Sequence, residues 1–288
     1  MRTRALVRKF PVLPLLLALY CLPAHGQTTV DAIKARLVGQ PLYLRGSWVE
    51  DDLHFDVDGE PEKKYHGGIF TEAGIDVAQV SLARGKLHIT GQRIGLIFEN
   101  LAPKRVKLSG KNYNGEISIE VQSPVDGDFG KALTEIFAPD LTSLAPAMPF
   151  YWQYYARNHL LSSKEQTKPS HSTTEAAKPT DHPVPTGNTV PSHVGGVIKK
   201  PIVTHQEEPQ FSDAARLLNY SGIVEVYLWV LPDGTPSQLS IVKPAGLGLD
   251  EQALYAVSKY KFKPATKDGK PITVDLYVNV NFQILDGR

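Results

Sequence analysis

Apolar positions along this chain fall into two series of periodic runs, separated by one long stretch that carries almost none. In the first series, Val30 to Leu37 has helical spacing, with Thr28 or Thr29 placed to cap it. Runs with strand character follow, divided by Gly and Asp turns. They are Leu42–Arg45, Leu53–Val57, Ile75–Leu82, Lys86–Thr90, Arg93–Phe98, Arg105–Leu108 and Gly115–Val121. The second of these stops at Asp58-Gly59, a dipeptide suited to a tight reversal. The last alternates cleanly, as a strand with one wet face does. Asp128 is placed to cap a helix to Phe137, with Phe129, Leu133, Ile136 and Phe137 on one face. A further helix, entered at Pro149, is predicted through the aromatic group Phe150, Tyr151, Trp152, Tyr154 and Tyr155.

The second series is simpler. A helix is expected from Phe211 to Asn219 with Ser212 as its N-cap. Strands follow at Gly222–Val230 and Ser237–Lys243, joined by Pro232-Asp233-Gly234. A second helix runs Glu251–Tyr260, capped by Asp250. A turn at Lys267–Lys270 leads into a long last strand, Ile272–Leu285. Its apolar positions, Val274, Leu276, Val278, Val280 and Phe282, alternate with Thr273, Asp275, Tyr277, Asn279 and Asn281. The order αββαβ predicts an α+β unit with two helices on one face of a three-stranded antiparallel sheet. Beside it stands a separate β-rich α+β N-terminal domain.

Between the two series, residues 162–193 are rich in Ser, Thr, Pro, Lys and Glu and have no Phe, Tyr or Trp. Such a segment buries too little apolar surface to offset the entropy of ordering it. The division is therefore a β-rich domain over 28–161, a disordered linker over 162–193 and a second domain over 194–288. Residues 1–26 are set apart. Arg2, Arg4, Arg8 and Lys9 precede an apolar run from Phe10 to Pro23, and small residues flank His25. That order is the mark of a cleaved secretory signal, so the chain is expected to be exported. The run is shorter than the ~20 residues that span a bilayer, which weighs against an uncleaved inner-membrane anchor. The one cysteine, Cys21, lies inside this segment, and Tyr20 before it is too bulky for a lipoprotein cleavage site. The rest of the chain has no disulfide, no thiolate metal ligand and no cysteine nucleophile. A formal net charge of +1 gives no electrostatic reason to expect a nucleic-acid partner.

The second series resembles the C-terminal domain of the TonB family. The resemblance rests on Pro209 and Phe211, Gly222-Ile223-Val224, Asp233-Gly234, Leu249-Asp250, Tyr260-Lys261-Phe262-Lys263-Pro264 and the long final strand. No one of these is specific; their joint order is. It covers this third of the chain and nothing before it. Each residue also has a local role. Gly222 permits a turn into its strand, and Asp233-Gly234 favours the hairpin. Asp250 satisfies free N–H groups at the helix start, Phe262 anchors a corner in the core, and Pro264 stops the helix.

The resemblance implies recognition through an exposed sheet edge. There the domain pairs with an extended peptide segment of an envelope or outer-membrane protein, in energy-dependent transport. The expected pairing segment is Val274, Asp275, Leu276, Tyr277, Val278, Asn279 and Val280, and Val278→Pro would remove one of its backbone donors. The alternatives are an edge covered by a homodimer partner or by the linker. An envelope scaffold or assembly factor without energy transduction is the second functional reading. A hydrolase in the first domain is a weaker third, and no catalytic residue or cofactor site is assigned. Asp51, Asp52, Asp56 and Asp58 fail the calcium-loop template, because Tyr65 stands where it requires an acid. His54, His66 and His88 lack close metal-ligand spacing.

Overall fold

The computed structural model describes residues 30–162, 191–193 and 198–284. The expected signal at 1–26 and nearly all of the expected linker lie outside the described residues.

The N-terminal half begins with α1 (Val30–Leu37), which buries Ile33 and Leu37. Its strands are β1 (Leu42–Leu44), β2 (Asp52–Phe55), β3 (Gly74–Ala83), β4 (Lys86–Glu99), β5 (Ala102–Lys107), β6 (Glu116–Gln122) and β7 (Phe137–Ala138), with α2 (Gly130–Ile136) before β7. They form one sheet in the order β2-β6-β4-β3-β1-β7, with β5 also on β4. The two runs read as separate strands on either side of Gly91 are one strand, β4. A Cβ at Gly91 would lie 2.5 Å from the carbonyl oxygen of Asp76, so glycine lets β4 pass close to β3 without breaking. Asp58-Gly59 does reverse the chain, and Asp56 N–H donates to Glu60 O at 2.9 Å. Yet β2 takes its register from β6, in parallel. Asp128 is not the N-cap of α2; Phe129 holds that position, and Asp128 lies one residue earlier and accepts the Gly130 N–H at 2.9 Å. The helix ends at Ile136, and Phe137 turns extended to join the sheet. Residues 150–161 are helical as expected, but pass from a 3₁₀ turn through α3 (Gln153–Tyr155) into a π-helical stretch.

The C-terminal half contains β8 (Ser192–His193), β9 (Ile202–His205), α4 (Asp213–Leu217), β10 (Gly222–Val230), β11 (Pro236–Lys243), α5 (Leu249–Ser258), β12 (Lys261–Lys263), β13 (Ala265–Lys267), β14 (Lys270–Ile272) and β15 (Val274–Phe282). The expected three antiparallel strands are present in the order β11-β10-β15, and β8 adds a short parallel strand outside β15. The predicted last strand divides at Thr273. Its first residue, Ile272, ends β14, which pairs with β13 across Asp268-Gly269.

Three local roles change. Gly222 is not needed for a turn. A Cβ there would lie 2.9 Å from that of Ala245, so its value is room for the neighbouring loop. Asp250 is not the N-cap of α5; Gly248 holds that position at φ 74°. Asp250 sits in the first turn, fully buried, and reaches back to accept N–H bonds from Ala245 and Gly246, both 2.8 Å. Pro264 does not stop the helix, which ends at Ser258. The proline instead separates β12 from β13. Phe262 is buried as expected, and Gly234 at φ 81° lets the hairpin press on its backbone: a Cβ there would lie 1.9 Å from Phe262 O.

The two halves, read from the sequence as separate units on a tether, share a core. Phe70, Leu96, Phe98, Trp152 and Tyr155 pack in the same apolar cluster as Val226, Leu228, Leu247 and Leu254. The backbone joins them too. The loop before α5 pairs with the end of β4: Phe98 N–H donates to Ala245 O at 3.1 Å, and Leu247 N–H to Leu96 O at 2.9 Å. Gly248 N–H donates to the Thr71 hydroxyl, and the Trp152 indole N–H to Glu251 at 2.8 Å. Burial of this apolar surface holds the junction; the backbone bonds set its register.

Candidate functional site

The predicted pairing segment lies on β15. One edge of β15 is fully used, in register with β10 from Gly222↔Phe282 to Val230↔Val274. At the other edge, β8 covers the first two positions, Val274↔Ser192 and Asp275↔His193. Ser192 N–H donates to Thr273 O at 3.1 Å, so the backbone groups of Thr273 face this outer edge. Backbone direction alternates along a strand, which turns the groups of Asp275, Tyr277, Asn279 and Asn281 outward as well. Those of Val274, Leu276, Val278 and Val280 turn inward to β10. The seven predicted residues therefore divide into two sets, and only the odd-numbered ones can serve a peptide on the outer edge. Val278→Pro would cut the internal ladder instead.

Beside this edge lies a groove of about 440 Å³ lined by Lys200, Pro201, Val203, Phe262 and residues 275–278. Val203 and Tyr277 are exposed apolar side chains there. β9 holds Val203 in place by pairing with β12, opposite Phe262. Phe262, expected only as a core anchor, thus also forms part of the groove wall.

At the covered end of the edge a buried polar chain fixes β15 to β10. The Trp229 indole donates to the Tyr227 hydroxyl at 3.0 Å, and Tyr227 donates to Asp275 Oδ2 at 3.3 Å. Burial, with the Asp275 charge beside it, pushes the Tyr227 phenol up to about 12, so it stays a donor at any ordinary pH. The Tyr227 and Tyr277 rings meet edge-on at 5.3 Å. Sequence reading missed this chain, because it depends on register between strands some fifty residues apart. Asp275 gave a weak signal as the one acid within a strand of alternating apolar positions.

The other candidate residues have structural partners. Asp51 pairs with Arg93, Asp52 with His54 and Asp58 with Lys131, while Asp56 accepts the N–H groups of Asp58 and Glu60. The structure does bring His54 and His88 to one place, on either side of Glu120. Their Nδ1 atoms lie 3.3 and 3.2 Å from its carboxylate, which also accepts from Lys86 at 2.7 Å. Cross-strand register makes this row, and no sequence spacing could show it. Among the described residues no group of three His, Cys, Asp or Glu side chains is arranged to hold a metal ion. None of their helices is long and apolar enough to cross a membrane.

Comparison with known proteins bears on the C-terminal half. Residues 207–284 match the family described as Gram-negative bacterial TonB protein C-terminal. The protein described as Protein TonB from Vibrio cholerae serotype O1 (strain ATCC 39315 / El Tor Inaba N16961) is 27% identical over 89 residues, which is 31% of this chain and 36% of that one. The chain thus spans about a third of that relative's length. The solution NMR structure of the Pseudomonas aeruginosa TonB CTD is 19% identical and aligns over 34% of this chain and 97% of its own, with a TM-score of 0.28. The C-terminal half of this chain, over residues 207–284, is a TonB C-terminal domain.

Proposed function

We propose that this is a TonB-like periplasmic protein of the cell envelope, which engages an extended peptide of an envelope or outer-membrane partner by strand addition to β15. The observation that carries this reading is the outer edge at Asn279 and Asn281. Its backbone groups turn away from β10, and no strand among the described residues lies against it. A peptide added there gains main-chain hydrogen bonds, and the groove at Val203 and Phe262 takes one of its side chains. Ser192 and His193 pair with Val274 and Asp275, which supports the alternative of an edge partly covered by the linker. A partner therefore reaches the edge from its far end. Because the N-terminal half shares the core of this domain, we read it as a fixed part of the binding unit, which also suits the scaffold reading.

The experiment uses the full exported chain. A photo-crosslinking residue at Asn279 should trap envelope proteins in living cells, and one at surface Lys131 should not trap the same proteins. In a second arm, Asn279→Pro removes an outward donor and leaves the β10 ladder whole. Adducts trapped through Ile223, another exposed side chain of this sheet, should then disappear. The same adducts from Lys131, or trapping unchanged by the proline, would refute strand addition at this edge.

A further inference from the structure

A second cavity, of about 390 Å³, lies where the two halves meet. The N-terminal half contributes an apolar and aromatic wall that includes Trp48, Ile69 and Tyr113, and α4 of the TonB domain closes it with Ala214 and Leu217. Clefts between folded units are favoured places for small ligands, because two surfaces remove more of the ligand from water than one.

Its charges do not balance. Three carboxylates, those of Asp51, Glu72 and Asp213, line it against one guanidinium, that of Arg93. Among the described residues the only ion pair in this cavity is Arg93 with Asp51, at 2.5 Å. Arg93 is 5% exposed and also donates to the Glu50 carbonyl, while Tyr113 donates to Asp51 at 3.1 Å. Arg93 and Asp51 are thus committed to each other. Glu72 and Asp213 are left facing the cavity with no cation of their own. Burial, and the charges of Glu251 and Asp213, push the Glu72 carboxyl up to about 7, against the opposing pull of Arg93. The ionised form of such a half-buried acid is stabilised by any cation brought beside it. Trp48 at the same wall adds aromatic surface, which favours an organic ammonium over a hydrated ion.

We propose that the junction cavity is a binding site for a small organic ammonium, a protonated amine on an apolar or aromatic body, with Glu72 and Asp213 taking the charge and Trp48, Ile69 and Leu217 the body. The site exists only when both halves are in place, so its occupant also clamps the TonB domain to the N-terminal half.

The test uses the full exported chain and three probes of one shape: 2-phenylethylammonium, 2-phenylethanol and phenylacetate. The indole N–H resonance of Trp48, assigned with Trp48→Phe, reports on the cavity. The ammonium should shift it saturably, bind about tenfold more tightly than the alcohol, and leave the acid without effect. Glu72→Gln and Asp213→Asn should each weaken the ammonium about five- to tenfold, while Asp58→Asn, outside the cavity, should leave it unchanged. Both Gln and Asn keep the shape of the side chain, and Asp213 is exposed, so that variant folds even where a core change would not. Equal binding of all three probes would show an apolar hole without charge selection and overturn the proposal. So would a Trp48 signal that never moves, or ammonium binding indifferent to both variants.

Discussion

If the TonB domain is locked to the N-terminal half through the end of β4, then Gly246 is where that lock is most sensitive. The residue has φ 95°, and a Cβ built on it would lie 2.1 Å from Leu96 O and 2.8 Å from Ile97 Cα. Both obstructing atoms are backbone, so no side chain can swing away. Gly246→Ala therefore carries two costs. Left-handed backbone costs an L-residue about 1–2 kcal/mol. Forcing a methyl into a filled junction costs about 1–3 kcal/mol more. Gly269→Ala separates the two, because Gly269 has φ 76° and nothing within 4 Å of its would-be Cβ. That variant should lose only the backbone part. At about 2–4 °C per kcal/mol for a chain of this size, Gly246→Ala should melt roughly 4–20 °C lower than the parent, and Gly269→Ala roughly 2–8 °C lower. Amide exchange gives the local reading. Phe98 N–H, which donates across the junction to Ala245 O, should exchange faster in Gly246→Ala and unchanged in Gly269→Ala. Equal melting points for the two variants, with Phe98 protected in both, would show that the halves do not meet at Leu96–Ile97 in solution.

Three further outcomes test other parts of the structure. Burial pushes the Glu72 carboxyl from the ordinary carboxylate value of 4.5 up to about 7, so the folded chain holds the proton more tightly. Its contribution to stability is complete below about pH 4.5 and is lost as pH rises through 7. At ~1.4 kcal/mol per unit this is about 2–3 kcal/mol after allowing for residual exposure, and Glu72→Gln should flatten that part of a urea-denaturation profile between pH 5 and 8. Trp152→Phe removes the donor to Glu251 and leaves a buried carboxylate short of a partner, at a cost of about 2–3 kcal/mol in chemical denaturation. Tyr227→Phe breaks the link between Trp229 and Asp275 and should cost about 1–2 kcal/mol, with the Trp229 indole N–H losing its exchange protection.

Local features of this fold were legible because short-range physics decides them. The helical period placed α1 at Val30–Leu37, and the Ser212 cap receives the Ala215 N–H at 3.2 Å as its position implied. Alternation marked β6 and β15, and Asp233-Gly234 and Asp268-Gly269 turn the chain between β10 and β11 and between β13 and β14. The same local rules misled where a residue answers to a distant neighbour. Asp250 has the identity of a helix cap, but the buried loop beneath it offered two unmet N–H groups, and it turned to those. Gly91 looked like a strand break and is a point of close approach.

The sequence by itself determined that the last third would be an α+β unit of TonB type with a long final strand, because period, turn residues and caps are written in neighbouring positions. It could not determine which backbone groups of that strand face outward. That choice follows from the pairing of β15 with β10, and one residue of slip would exchange Val278 for Asn279 at the edge. Nor could it determine that the two halves share a core and a cavity. Leu96 and Leu247 are about 150 positions apart, and only burial of apolar surface in three dimensions brings them together.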